Sequence, residues 1–162
     1  MFPTQQEVYE WLKDVKDPEV PVLSILDLGI VRDVQIDEAG KISIKITPTY
    51  SGCPAMDVIA MNIRLALSGR DHTGLNIEMQ LSPAWTTDWM SEDAKDRLEA
   101  YGIAAPRRLA GINDLFEAEI SVPCPKCHSL DTRLISQHGA TACKALYQCN
   151  TCQEPFEYFK CH

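Results

Sequence analysis

Ile30-Val-Arg-Asp-Val-Gln-Ile36-Asp-Glu-Ala-Gly40-Lys-Ile-Ser-Ile-Lys-Ile46-Thr47 is the stretch that decides the fold. Ile30, Val34 and Ile36 fall at even positions with Arg32 among them. Ile42, Ile44 and Ile46 then alternate with Lys41, Ser43, Lys45 and Thr47. A period of two in both runs means two strands, each with one apolar face, and Asp37-Glu-Ala-Gly40 supplies the turn of a hairpin. Slipping the register by one residue would carry every isoleucine into water, so the pattern fixes the pairing.

Working outward, Thr4-Gln-Gln-Glu7 is a capping-box pattern ahead of Val8, Trp11, Leu12 and Val15. The i, i+3, i+4, i+7 spacing predicts a helix with one apolar face, ended by Pro18 and Pro21. After the hairpin, Pro54 suits the first turn of a second helix, on which Ile59, Ile63 and Leu67 share a side until Gly69. Leu75, Ile77, Met79 and Leu81 alternate as a third strand. Ser91-Glu-Asp opens a third helix that Gly102 closes. The order α-β-β-α-β-α predicts an α+β domain over residues 1–103, a small three-stranded sheet with helices on one face.

Residues 104–120 read as a linker, because Pro106 and Gly111 interrupt regular structure. Beyond it the composition changes. Residues 1–120 carry 11 basic and 20 acidic side chains and one cysteine, whereas 121–162 carry 4 basic, 3 acidic and six cysteines. Cys124-Pro-Lys-Cys127 is followed after 21 residues by Cys149-Asn-Thr-Cys152. A C-x-x-C turn holds two thiolates on one side of a tight loop, and two such loops supply the four soft ligands of tetrahedral Zn²⁺ or Fe²⁺. The expectation is a C-terminal zinc-ribbon-like β module, with Leu134-Ile135 and Ala145-Leu-Tyr147 as its hairpin. Spacing does not separate Zn²⁺ from iron. A closed four-thiolate zinc site is structural, and so short a module depends on its metal to fold. Cys143 and Cys161 are left over, with His128, His138 and His162 nearby. Each of the two thiols taken singly reads as a small buried residue before an alternate ligand, and His128 as a solvent-facing loop residue.

The whole chain has 162 residues, 45% apolar and 23% charged, with a net charge of -8. That balance predicts a soluble globular protein. So acidic a chain is a poor partner for nucleic acid, whose binding draws most of its affinity from positive charge. No run approaches the roughly 20 apolar residues of a membrane helix. The first residues lack a basic and apolar export pattern, which with the unpaired thiols predicts a cytoplasmic protein.

The first 120 residues contain one further reactive group. Cys53 lies between Gly52 and Pro54, at the start of the second helix, where free amides and the helix dipole favour thiolate. It could be a nucleophile, a metal–sulfur ligand or an inward-packing cap. No histidine is close in sequence, although His72 could approach in space, so a thiol hydrolase lacks a convincing base. Asp17-Pro-Glu19 and Asp27-Leu-Gly29 are acidic turns of the same half. Trp85-Thr-Thr-Asp88-Trp89 fits either a partner-docking patch (Trp85, Asp88, Trp89) or an apolar plug at the sheet edge.

Taken in order around the hairpin, Asp17-Pro-Glu19, Asp27-Leu-Gly29 and Thr47-x-Thr-x-x-x-Cys53-Pro54 resemble the iron–sulfur assembly domain family. That family includes bacterial Suf-type maturation factors and the MIP18-like proteins of eukaryotic cytosolic iron–sulfur targeting. The match covers roughly residues 5–85. With Thr47-Pro-Thr-Tyr-Ser-Gly-Cys-Pro-Ala55, Pro83-Ala-Trp-Thr-Thr-Asp-Trp89 and the cysteine pairs around Cys143-Lys-Ala-Leu-Tyr147, the likeness spans nearly the whole chain. It is then to the PaaD family of phenylacetate-degradation proteins, which accompany the ring-1,2-phenylacetyl-CoA epoxidase. The resemblance implies a noncatalytic accessory role in aerobic phenylacetate catabolism, with other epoxidase subunits as partners: the di-iron oxygenase, the iron–sulfur flavin reductase or both. It implies transient iron or an iron–sulfur cluster at Cys53, in a pocket shaped by Asp17, Glu19, Thr47 and Thr49. The sequence agrees with the negative part: it has no Glu-x-x-His pair for a di-iron site and no Gly-rich dinucleotide loop. The competing expectation is a rubredoxin-like electron-transfer subunit with iron in the ribbon. Assembly-domain proteins often pair, so a homodimer sharing a cluster between two Cys53 thiolates also fits.

Overall fold

A computed structural model describes residues 1–106 and 121–160 of the chain. The contacts divide it into two compact units, Met1–Ser91 and Glu92–His162. In the first unit, helix α1 (Gln5–Leu12) opens on the expected capping box. The Thr4 side chain accepts from the Glu7 N–H, and the Glu7 carboxylate accepts from the Thr4 N–H. Val8 and Leu12 are buried. The helix stops at Leu12, a turn short of Val15, because the Val15 and Asp17 backbones turn back onto Ile25 and Leu23. Lys16 and Ser24 form an isolated bridge there.

Strands β1 (Val31–Ile36) and β2 (Lys41–Ile46) pair antiparallel, with Val34 opposite Ile44 and Ile36 opposite Ile42. The register shifts between Val31 and Asp33, so Arg32 is the extra residue of a β-bulge. That bulge lets Val31 as well as Ile30 and Val34 point inward. Helix α2 (Ala55–Leu67) crosses over to strand β3 (Gly74–Met79), which runs parallel to β2. The order β1-β2-β3 is the expected three-stranded sheet. α1 packs on both α2 and β1, and Ile42, Ile44, Ile46, Ile59, Ile63 and Leu67 are all buried. Met79 and Leu81 are exposed, and Leu81 lies beyond the strand.

Trp85 is 3% exposed, and its indole N–H donates to the Leu28 carbonyl at 2.7 Å. A short 3₁₀ turn, Thr87–Trp89, follows. Trp89 packs where the Gly29 side chain would be: a Cβ on Gly29, whose φ is +70°, would stand 2.6 Å from the Trp89 carbonyl oxygen. Only glycine permits both that φ and that approach.

The second unit begins with helix α3 (Glu92–Tyr101), directly after Ser91, and Gly102 with φ +98° ends it. Its first strand, β4 (Ile103–Ala104), pairs parallel with β7 (Pro155–Phe159). The segment expected as a linker from 104 therefore starts as a buried strand end, and Ala105 is buried too. The remainder of that segment, 107–120 with Gly111, lies outside the described residues, as do Cys161 and His162. β5 (Thr132–Ser136) and β6 (Lys144–Cys149) complete a ribbon in the order β4-β7-β6-β5, antiparallel from β7 to β5. Tyr147 stacks on Phe156 and meets Tyr158 edge-on, at centroid distances of 5.9 and 5.8 Å. With Ala104, Val122 and Ala145, these rings make a core reaching Cys124 and Cys149. Among the described residues no helix is long and apolar enough to cross a membrane.

Candidate functional site

The ribbon brings its four predicted ligands together. The sulfurs of Cys124, Cys127, Cys149 and Cys152 all lie within 4.8 Å of one another. Cys124 and Cys152 are 3.8 Å apart, and Cys127 and Cys149 are 3.5 Å apart. Ligands about 2.3 Å from a tetrahedral Zn²⁺ stand about 3.8 Å from each other, so these two pairs already lie near the spacing that ion requires. These separations are too long for disulfides, and the thiols are free.

Local sequence explains the convergence. His128 and Gln153, the residues after each C-x-x-C, adopt left-handed φ of 62° and 63°. That turn aims the backbone amides inward: the Cys152 N–H donates to the Cys149 sulfur at 3.5 Å. Three contacts tie loop to loop. Lys126 pairs with Glu154 at 3.0 Å, Ser129 with Thr151 at 2.8 Å, and the Asn150 amide donates to the Asp131 carboxylate at 2.8 Å.

Electrostatics point the same way. The Cys152 N–H, then the Thr151 N–H, bring Cys149 down to about 6 against desolvation. At Cys127 the Ser129 N–H pulls the other way, but desolvation and the crowding sulfurs push it up to about 12. Four thiols so close cannot all ionise unless a cation joins them. Zn²⁺ held by Cys124, Cys127, Cys149 and Cys152 would supply that charge and a structural crosslink with no open coordination position.

Cys143 is outside this cluster: it is buried, and its sulfur lies 3.0 Å from the Thr141 hydroxyl. His128 is exposed.

In the first unit, Cys53 is half-buried in the loop between β2 and α2. Gly52, with φ +75°, turns the chain into it. Pro54 caps the helix without a side-chain bond, and the Ala55 N–H and the Tyr50 side chain reach the Cys53 sulfur. Those two bonds favour thiolate. Burial outweighs them, and Glu19 and Asp17 add to it, so the thiol sits above its ordinary range. The lowering expected from the helix start is therefore reversed.

Asp17 is buried and accepts from the Glu19 and Val20 N–H groups at 2.7 and 2.9 Å. This cap anchors an irregular but buried loop of Val20, Leu23, Ile25 and Leu28 that carries no periodicity in the sequence. Thr47 and Thr49 are buried at the base of the Cys53 loop. Among the described residues Thr47 Oγ1 has no hydrogen-bond partner, and a buried polar atom in that state calls for explanation.

His72 does not approach Cys53. Its Nε2 lies 3.2 Å from the Leu67 carbonyl, at the far end of α2, about 20 Å away along a 13-residue helix. A Cys–His nucleophile with that base is excluded.

Of the tryptophan motif, Trp85 belongs to the core and has no surface to offer a partner. The Arg32 guanidinium lies 3.5 Å from the Trp89 ring centroid, and Asp88 is exposed.

The fold and the four-cysteine cluster define a class: a small α+β domain followed by a four-cysteine β ribbon. Family models agree, with an iron–sulfur cluster assembly protein domain over residues 5–74 and the PaaD zinc beta ribbon domain over 110–160. The chain is 48% identical, over 98% of its length and 94% of the relative's, to an Escherichia coli protein named provisionally as a component of 1,2-phenylacetyl-CoA epoxidase. It belongs to the PaaD family. Over 56% of this chain and 87% of the relative it is also 34% identical to an Fe-S protein maturation auxiliary factor of Porphyromonas gingivalis. A domain of unknown function from Bacillus anthracis shares the fold, with a TM-score of 0.55 and 31% identity, over 58% of this chain and 90% of that one.

Proposed function

We propose that this protein is an accessory factor of a multicomponent phenylacetyl-CoA epoxidase, assisting the assembly of iron or iron–sulfur centres in its partner subunits. The observation that carries the reading is the pairing of two unlike cysteine sites in one chain. One is a closed set of four thiols suited to a resident ion. The other is a single half-buried thiol on which two carboxylates act, in a loop that begins with a buried threonine.

In this reading Cys53 contacts iron or a cluster as cargo, while Asp17, Glu19, Thr47 and Thr49 shape the pocket. The Asp17 and Glu19 carboxylates favour a cation at that thiol. A single thiol suits transient holding better than the four converging thiols of the ribbon do. The names of the Escherichia coli and Porphyromonas gingivalis relatives support the epoxidase setting and the maturation role respectively. The di-iron oxygenase and the iron–sulfur flavin reductase are the clients, met through Asp88, Trp89 and the ribbon. Zn²⁺ is the resident ion.

The test is the metal and sulfide content of the partner subunits from cells carrying Cys53→Ser in place of the wild-type chain. Partners purified without oxygen are expected to lose most of their iron, while the variant keeps its fold and ribbon metal. Fully loaded partners would overturn the reading. Purified wild type should be colourless; thiolate-to-iron absorption from the ribbon would instead favour electron transfer.

A further inference from the structure

We infer that the outward face of α2 is the two-fold interface of a homodimer, in which the helix pairs antiparallel with its copy about Met61. The inference is independent of any role for Cys53.

α2 is apolar on two sides. Its inner side buries Ile59, Ile63 and Leu67, yet Val58, Met61 and Leu65 on the outer side are 39%, 54% and 66% exposed. A helix whose outer side is apolar as well as its inner one normally has a second partner, and three apolar side chains at i, i+3 and i+7 form a continuous stripe.

The charges on that face identify the partner as a second copy. At about 100° per residue, Val58 and Leu65 lie on one flank of Met61, and Asp57 and Arg64 lie on the other. Asp57 and Arg64 are both exposed, and neither pairs with a charge among the described residues. A two-fold axis normal to the plane of two antiparallel helices keeps each flank facing its own equivalent while reversing direction. Met61 then meets the partner subunit's Met61. Val58 opposes the partner subunit's Leu65, and Asp57 opposes the partner subunit's Arg64, each contact made twice. A parallel pairing about a two-fold along the helices would instead set each charged flank against the apolar one, Asp57 beside the partner subunit's Val58 and Arg64 beside the partner subunit's Leu65, leaving both charges without a partner.

The arrangement has a geometric corollary. Cys53 is eight residues from Met61, so the two Cys53 thiols end up about 24 Å apart along the helices. They cannot bridge one cluster, and the shared-cluster dimer anticipated from the resemblance is a different assembly.

A single helix-on-helix contact falls at or below the roughly 1,200 Å² of standard interfaces, so the dimer is expected to dissociate on the order of micromolar concentration. Sedimentation equilibrium of the full chain from about 1 to 300 µM reads this directly. Met61→Glu should leave a monomer throughout, with an unchanged circular dichroism spectrum. Asp57→Arg and Arg64→Asp should each raise the dimer Kd by about tenfold, and the double swap should return it to within about threefold of wild type. A wild-type chain that stays monomeric, a dimer that Met61→Glu leaves intact, or a double swap that fails to restore association would each overturn the inference.

Discussion

Gly29 marks the point at which one atom decides whether the first unit closes. Its φ of +70° and the Trp89 backbone 2.6 Å from a would-be Cβ make Gly29→Ala both strained and overpacked. The expected cost is about 2–4 kcal/mol, read as a fall in the urea midpoint at constant slope. Glu7 offers a smaller test. Its carboxylate is held below the ordinary range, chiefly by the Thr4 N–H and then by the Thr4 hydroxyl. A depressed carboxyl stabilises the fold above its unfolded pKa, and the contribution fades as pH falls through the folded value. Stability should therefore decline below about pH 4.5 more steeply in wild type than in Glu7→Gln, as thermal melts across that window would record. Glu7 is fully exposed, so the difference should be small.

Among elements, the hairpin and the paired C-x-x-C loops are legible in the sequence because each rests on local spacing. Alternation at Ile42, Ile44 and Ile46 fixes a face, and two cysteines three apart fix a turn. What is not legible is set by contacts distant in sequence. The bulge at Arg32 admits Val31 to the core and lays the guanidinium on Trp89, a residue 57 positions on. β4 exists because β7 offers an edge to Ile103 and Ala104. The Cys53 thiol departs from expectation for a related reason. A helix start can be seen in sequence, whereas the burial and the Asp17 and Glu19 carboxylates that oppose it come from folding.

The ribbon provides the prediction proper to an element. Removing one ligand with Cys149→Ala, or the ion with a chelator, should cost much of the on the order of 10 kcal/mol that a structural Zn²⁺ contributes at neutral pH. The signature is loss of about one equivalent of metal by mass spectrometry together with the near-ultraviolet signal of Tyr147 and Tyr158. The three contacts between the loops, Lys126–Glu154, Ser129–Thr151 and Asp131–Asn150, should let the signal return promptly when Zn²⁺ is added to the stripped protein.

For the whole molecule, net charge is the property that reaches every encounter. At -8 the chain repels polyanions at long range. Around Cys53 the same sign is concentrated, since Asp17 and Glu19 both act on its sulfur. Small visitors to that thiol are thus sorted by their own charge before any shape is tested. Uncharged iodoacetamide should label Cys53 faster than anionic iodoacetate by a margin several-fold wider than glutathione shows, as peptide mapping would measure. The excess should shrink with added salt and in Glu19→Gln. Glutathione, an anionic thiol, would meet the same repulsion, so mixed-disulfide capping of Cys53 is expected to run slower than capping by an uncharged disulfide of similar size.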